Sequence, residues 1–258
     1  MSVVLFEIKN SVAFITLNRP EKYNAFNRSM ALQLQGFLQQ SNEDENVRCI
    51  VITGNGKGFC AGQDIEEVLQ PDGPPIEMFI AEHYNPVVRL IRSATKPVIA
   101  AVNGVAAGAG ANMAFCCDII IATASASFIQ AFGKIGLIPD CGGTYFLPRL
   151  IGFQKASALM LLNEKISATE AEKIGLIYKV FEDTEFASAI QSIAETLCKL
   201  PPQALALTKE ALNASAYNSL EEQLAVEDRL QTVAGKTLDF KEGISAFVQK
   251  RKPVFTGK

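Results

Sequence analysis

KPVIAAVNGVAAGAGANMAFCCDIIIAT, residues 96–123, decides the fold. KPVIAAV is a short unbroken apolar run, the composition of a strand buried on both faces, and DIIIAT is a second one. Between them GAGANMAFC reads as a short helix opened by small residues. Two buried strands joined through glycine-bounded turns and a helix are the pattern of a mixed α/β domain. The apolar stretch 98–117 is interrupted by Asn103, Asn112 and several glycines, which suits tight packing better than a lipid span.

The chain on either side extends this pattern. VVLFEI and VAFITL, separated by Lys-Asn-Ser, predict a hairpin; MALQLQGFLQQSN repeats its apolar positions at helical spacing, and CIVITG follows as a buried strand. QPDGPP, residues 70–75, reads as a mobile surface loop, and MFIAEHYNPVVRLIRS as a helix that Pro86 either kinks or starts. Beyond about residue 150 helical patterns follow one another to the end, and Ser167 with Glu170 fits a capping box. The expected organisation is a core domain over 1–197 and a helical region over 198–258, whose apolar faces suit oligomerisation.

Composition narrows the function. Of 258 residues 48% are hydrophobic and 20% charged, with a net charge of -3, so the chain is globular and lacks the basic excess of a nucleic-acid binder. The start, MSVVLFEIKN, has neither the basic opening nor the long apolar core of a signal peptide, so no membrane partner is expected. Six cysteines without a CxxC pair and a single His argue for a reducing cytoplasm and against a metal site; Cys141, beside Asp140, is a candidate reactive thiol.

The glycines are not those of a nucleotide loop. GNGKG needs a third glycine at position 59, which is Phe59, and no Walker motif is present. Glycine also brings backbone N–H groups against a ligand oxygen. FCAGQD (59–64) and GVAAGAGAN (104–112) each lie between a strand and a predicted helix, where free donors gather, and two such loops together make an oxyanion hole. GLIPDCGGT (136–144) is ordinary turn chemistry on its own, yet it sets Asp140 beside Leu137 and Ile138. A poorly solvated Asp is a stronger base than a surface one, able to take a proton from the carbon next to a thioester carbonyl held by two N–H groups.

LNRPEKYNAF, GKGFCAGQDI, KPVIAAVNGVAAGAG, CDIIIAT, GLIPDCGGTYFLPRLIG, SATEAEKIGLI and EGISAFVQKRKPVF, in this order and over nearly the whole chain, resemble the crotonase (enoyl-CoA hydratase/isomerase) superfamily. The resemblance implies a spiral of β-β-α units with a C-terminal helical trimerisation region, assembled as a homotrimer or hexamer. It implies an acyl-CoA substrate, coenzyme A being part of that substrate rather than a cofactor. The oxyanion donors would be the backbone N–H groups of Gln63 and Ala109. Lys22, Ala25, Ala61, Asp64 and Ile65 would contact CoA, completed by Phe247 and Lys250 of a neighbouring subunit, while Tyr84, Asn85 and Phe132 would shape the acyl pocket.

Hydratases of the superfamily carry two Glu residues at positions that here match Asn112 and Phe132, so the water-activating pair is missing. Asp140 instead matches the carboxylate of certain isomerases and of the 4-chlorobenzoyl-CoA dehalogenase branch. The dehalogenase reading lacks its His, since Asn85 stands at that place. The resemblance therefore favours an isomerase acting on ring epoxides or 3-enoyl thioesters, with Asp140 as its one acid/base. Hydration by Asp140 or by an unassigned side chain is the first alternative, and a non-catalytic fold that binds RNA or a partner is the second, disfavoured by the acidic charge. His83, the lone histidine, is more at home as a structural residue than a catalytic one.

Overall fold

The computed structural model describes residues 2–70 and 75–258. Most of the stretch read as a mobile loop, residues 71–74, therefore lies outside the described residues. The chain opens with the expected hairpin: β1 (Val4–Lys9) pairs antiparallel with β2 (Val12–Leu17). Asn10 and Ser11 join them, both left-handed (φ 51° and 63°), the backbone that a two-residue hairpin loop requires and that Asn tolerates well. After α1 (Arg28–Glu43), capped by the Asn27 side chain accepting from the Met30 N–H, β3 (Cys49–Gly54) and β4 (Gly58–Cys60) follow. Next come α2 (Ile65–Val68), α3 (Ile76–Met78), a π-helical turn over Phe79–Tyr84, and α4 (Asn85–Ser93) with Pro86 in its first turn.

The stretch quoted above gives β5 (Val98–Val102), β6 (Val105–Ala107), α5 (Ala109–Phe115) and β7 (Ile119–Thr123). The chain continues through β8 (Ser127–Ile129), α6 (Gly143–Leu162, broken at Gly152), β9 (Ile166–Ser167), α7 (Ala168–Lys173), β10 (Lys179–Phe181) and α8 (Phe186–Cys198). It ends with α9 (Pro202–Ser215), α10 (Leu220–Ala234) and α11 (Leu238–Val248). Two sheets result, ordered β1-β2-β3-β5-β7-β10 and β4-β6-β8-β9. Each of the successive pairs β3-β4, β5-β6 and β7-β8 gives one strand to each sheet before a helical segment returns the chain. That repeat is the expected β-β-α spiral, with β2, β3, β5, β7 and β10 running parallel.

Alternation explains why the strands of the large sheet read as continuous apolar runs. Cys49, Val51, Ile99, Ala101 and Ile121 face α8 and its Phe186 and Ala194, whereas Ile50, Ile52, Val98 and Ala100 face the main core with Met30, Leu34 and Ile91. Both faces are covered, so no polar side is left to mark the period. The C-terminal helices are tied to this body by buried charge. Lys209 of α9 reaches Asp118 at 2.7 Å and donates to the Ile91 carbonyl, and Arg92 approaches the same Asp118 at 3.0 Å. The Asp239 carboxylate accepts from the Thr256 and Gly257 N–H groups, returning the chain end to α11. At Ser167 the cap is half of the expected box, accepting from the Glu170 N–H; the reciprocal box forms at Ser219 and Glu222. Among the described residues no helix is long and apolar enough to cross a membrane.

Candidate active site

Asp140 stands at the head of a tight turn. Its carbonyl accepts from the Gly143 N–H at 2.8 Å, and the two central residues, Cys141 and Gly142, are both left-handed (φ 49° and 74°). A left-handed Cys is unfavourable by about 1 kcal/mol, so the surroundings hold this turn in place. The turn reading of GLIPDCGGT thus holds, with Asp140 at its head. Asp140 Oδ1 is buried without a hydrogen-bond partner, and burial pushes the carboxyl from 3.8 up to about 7 with no nearby cation to offset it. A base poised near neutrality follows. Cys141 does not share that reactivity: it is buried, and burial beside Asp140 holds its thiol well above the usual range, which corrects the reactive-thiol reading.

Asp140 opens onto a cavity of about 330 Å³. Gly62, Gln63, Gly108 and Ala109 line it together with Tyr84, Gln130 and Phe132, and Ile65, Val68, Ile76, Phe79, Ile80, Ile135 and Leu137 give it an apolar wall. Among the described lining residues Asp140 is the only Asp, Glu, Lys, Arg or His. The two glycine-rich loops converge here for a backbone reason. Gly62 (φ 91°) lies so close to β6 that a Cβ there would stand 3.0 Å from the Ala107 carbonyl, and Gly108 (φ 52°) turns the chain into α5. Among the described residues neither the Gln63 nor the Ala109 N–H has a backbone acceptor, while the flanking Phe26 N–H donates to Gly62 and the Asp64 N–H to Phe26. Ala109 is the first residue of α5, where an N–H has no partner within the helix.

Tyr84 and Gln63 are connected. The Tyr84 hydroxyl donates to Gln63 Oε1, Gln63 Nε2 donates to Glu67 at 2.9 Å, and Glu67 in turn accepts from the Arg28 N–H. This chain links α2 to the π-helical turn across the cavity. Phe132 is buried, 3.7 Å from where a Cβ on Gly108 would sit. Asn85, by contrast, does not line the cavity. His83 does not either: it is fully buried, edge-on to Phe79 at 5.2 Å, with its pKa lowered by burial and hence neutral. Glu82 lies 3.3 Å from His83 Nε2 without forming a hydrogen bond of good geometry.

The residues expected to meet CoA cluster at one edge of the cavity. Ala61 and Ile65 line it, and Ala25 is buried nearby, its carbonyl accepting from Arg19 at 2.7 Å. Arg19 also pairs with the buried Asp64 at 2.6 Å, so this carboxylate braces the loop and caps α2 by accepting from the Glu66 N–H. Lys22 pairs with Glu66. Arg19 was not singled out by the sequence, although LNRPEK carries it; through Ala25 and Asp64 it is one of the residues that join the two CoA-expected segments. Phe247, 85% exposed, and Lys250 lie at the end of α11, away from the cavity lining within one chain.

Comparison with known proteins matches this architecture. The family model described as enoyl-CoA hydratase/isomerase matches residues 7–258. The chain is 46% identical to the 1,2-epoxyphenylacetyl-CoA isomerase of Escherichia coli (strain K12), over 100% of both chains. It is 44% identical to a Rhodobacter capsulatus protein named "Probable enoyl-CoA hydratase", over 99% of this chain and 98% of that one. The crystal structure of an enoyl-CoA hydratase from Bacillus anthracis superposes with a TM-score of 0.92 at 32% identity, covering 99% of this chain and 100% of that chain. On sequence and fold together, the chain belongs to the enoyl-CoA hydratase/isomerase family.

Proposed function

We propose that this protein is an acyl-CoA isomerase that moves a double bond by proton transfer through a single carboxylate, Asp140. The observation that carries the reading is that Asp140 is the one Asp, Glu, Lys, Arg or His on the described cavity lining, with a buried, unpaired oxygen and a pKa raised to about 7. On a 3-enoyl-CoA, Asp140 removes a proton from the carbon next to the thioester carbonyl. The electron pair moves into an enolate whose oxygen accepts from the Gln63 and Ala109 N–H groups. Asp140 then returns the proton two carbons farther on, giving the 2-enoyl product. Bonds broken and formed balance, and neither water nor any group beyond the substrate's own coenzyme A enters.

The full-length similarity to a 1,2-epoxyphenylacetyl-CoA isomerase supports the ring epoxide as the physiological acyl group, opening to an oxepin, in cytoplasmic phenylacetate catabolism. Asn112 and Phe132 supply no second carboxylate to activate water, which disfavours hydration. CoA would run along Lys22, Ala25, Ala61, Asp64 and Ile65. The exposed apolar side chains of α10 and α11, among them Leu220, Leu224, Phe240, Ile244 and Phe247, support burial in a trimer that brings Phe247 and Lys250 to a neighbour's CoA.

The test is to offer the purified protein 1,2-epoxyphenylacetyl-CoA, a 3-enoyl-CoA and a 2-enoyl-CoA in separate assays. Isomerisation of the first two that outruns hydration of the third is the expected result. Hydration that outruns both isomerisations would overturn the reading.

A further inference from the structure

Donor and acceptor accounting fixes the direction of a buried amide relay behind Asp140. The Asp140 carbonyl oxygen can only accept. Asn112, 2.9 Å away, must therefore present Nδ2 to it. Asn112 Oδ1 then faces Gln130 at 2.9 Å, which must present Nε2. Gln130 Oε1 is left buried and without a partner. Asn112 is fully buried and Gln130 only 3% exposed. Both amide orientations are thus set by the one obligate acceptor at the head of the turn.

Placement gives the relay its meaning. Asn112 sits on α5, three residues after Ala109, whose N–H is the candidate oxyanion donor. One short helix therefore carries both the donor and the brace on the carboxylate's own residue. Gly143 completes the fit, because a Cβ there would stand 2.2 Å from Asn112 Nδ2. Gln130 follows β8 directly and lines the cavity, so the relay is anchored on the small sheet.

We infer that Asn112, oriented by Gln130, is a positioning residue that fixes Asp140 at a set distance from the Ala109 N–H. The inference rests on the isomerase reading of Asp140. A side chain that only fills space would alter stability and leave turnover by folded protein unchanged; a positioning residue lowers kcat, and does so only while Asp140 is present.

The test uses Asn112→Leu and Gln130→Met, each alone and combined with Asp140→Asn, following migration of a 3-enoyl-CoA double bond and the thermal midpoint. Asn112→Leu is expected to lower kcat by about 10- to 100-fold with KM within about twofold, the scale of an ångström-sized misplacement. In the Asp140→Asn background the same change is expected to cost less than about twofold, because its effect runs through the missing carboxylate. Folded Asn112→Leu with wild-type kcat, or an equal loss in both backgrounds, overturns the inference. If Asn112→Leu does not fold, Gln130→Met decides by the same two criteria, with a smaller loss expected because the Asn112 amide is merely freed to rotate. Full migration activity in Asp140→Asn alone would remove the isomerase reading and the inference with it, whereas an inactive Asp140→Asn beside a fully active Asn112→Leu removes only the inference.

Discussion

Replacing Asp140 by Asn should make the protein more resistant to unfolding at high pH than at low pH, relative to wild type. In an unfolded chain this carboxyl titrates near 3.8, and in the folded protein burial raises it to about 7. The native state therefore binds the proton more tightly than the unfolded state. Wild type loses stability as pH rises through this window and loses no more above it. The full difference of about 3 units corresponds to about 4 kcal/mol. Between about pH 5.5 and about pH 8.5 the same two pKa values leave about 2 kcal/mol. Asn does not titrate, so the stability of Asp140→Asn minus that of wild type should increase by that amount across the interval, whatever fixed cost the amide brings. Urea unfolding at both pH values and one protein concentration measures it. An identical difference at the two pH values would show that Asp140 titrates as an ordinary surface carboxylate, and the argument for a desolvated base would collapse.

Three further outcomes follow from the same geometry. The kcat/KM for double-bond migration should rise with pH and level off above about 7 if, as proposed, the ionised Asp140 accepts the proton; a profile already flat from about pH 5 upward would contradict this. Gly143→Ala places a Cβ against the Asn112 amide, and an overpacking cost of about 1–3 kcal/mol should accompany loss of migration activity, checked by denaturant midpoint and turnover. Asp118→Asn leaves the Lys209 ammonium buried without its counter-charge and should cost about 3 kcal/mol with little change in KM, read by urea unfolding and steady-state kinetics; unaltered stability would mean that this pair does not anchor α9.

Much of the fold was legible because its elements have strong local signals. The runs CIVITG, VIAAV and IIIAT are apolar on both faces, and both faces proved to be covered. The small sheet was less visible: β4, β6 and β8 are three residues each, and within VAA and GFC no period can be read. The π-helical turn at Phe79–Tyr84 also escaped notice, since apolar spacing does not distinguish it from a helix that continues into α4.

At the site the glycines were legible because close backbone approach leaves marks in sequence, whereas the neighbour Ile138, read as desolvating Asp140, is 81% exposed, and the burial of the carboxyl comes from the fold around it. Asp140, Gln63, Ala109, Tyr84 and Phe132 all meet at one cavity, whereas Asn85, Phe247 and Lys250 do not line it. The roles of Asn112 and Gln130 were hidden because they depend on a contact 28 residues away in the chain and on which amide atom faces which partner. Arg19 was hidden in the same way, by a pairing with Asp64 across 45 residues.

If one desolvated carboxylate moves the proton, 3-enoyl-CoA to 2-enoyl-CoA conversion measured side by side for wild type and Asp140→Asn should fall by about two to four powers of ten in the folded variant, the scale of removing a general base. Migration at the wild-type rate in Asp140→Asn would contradict it.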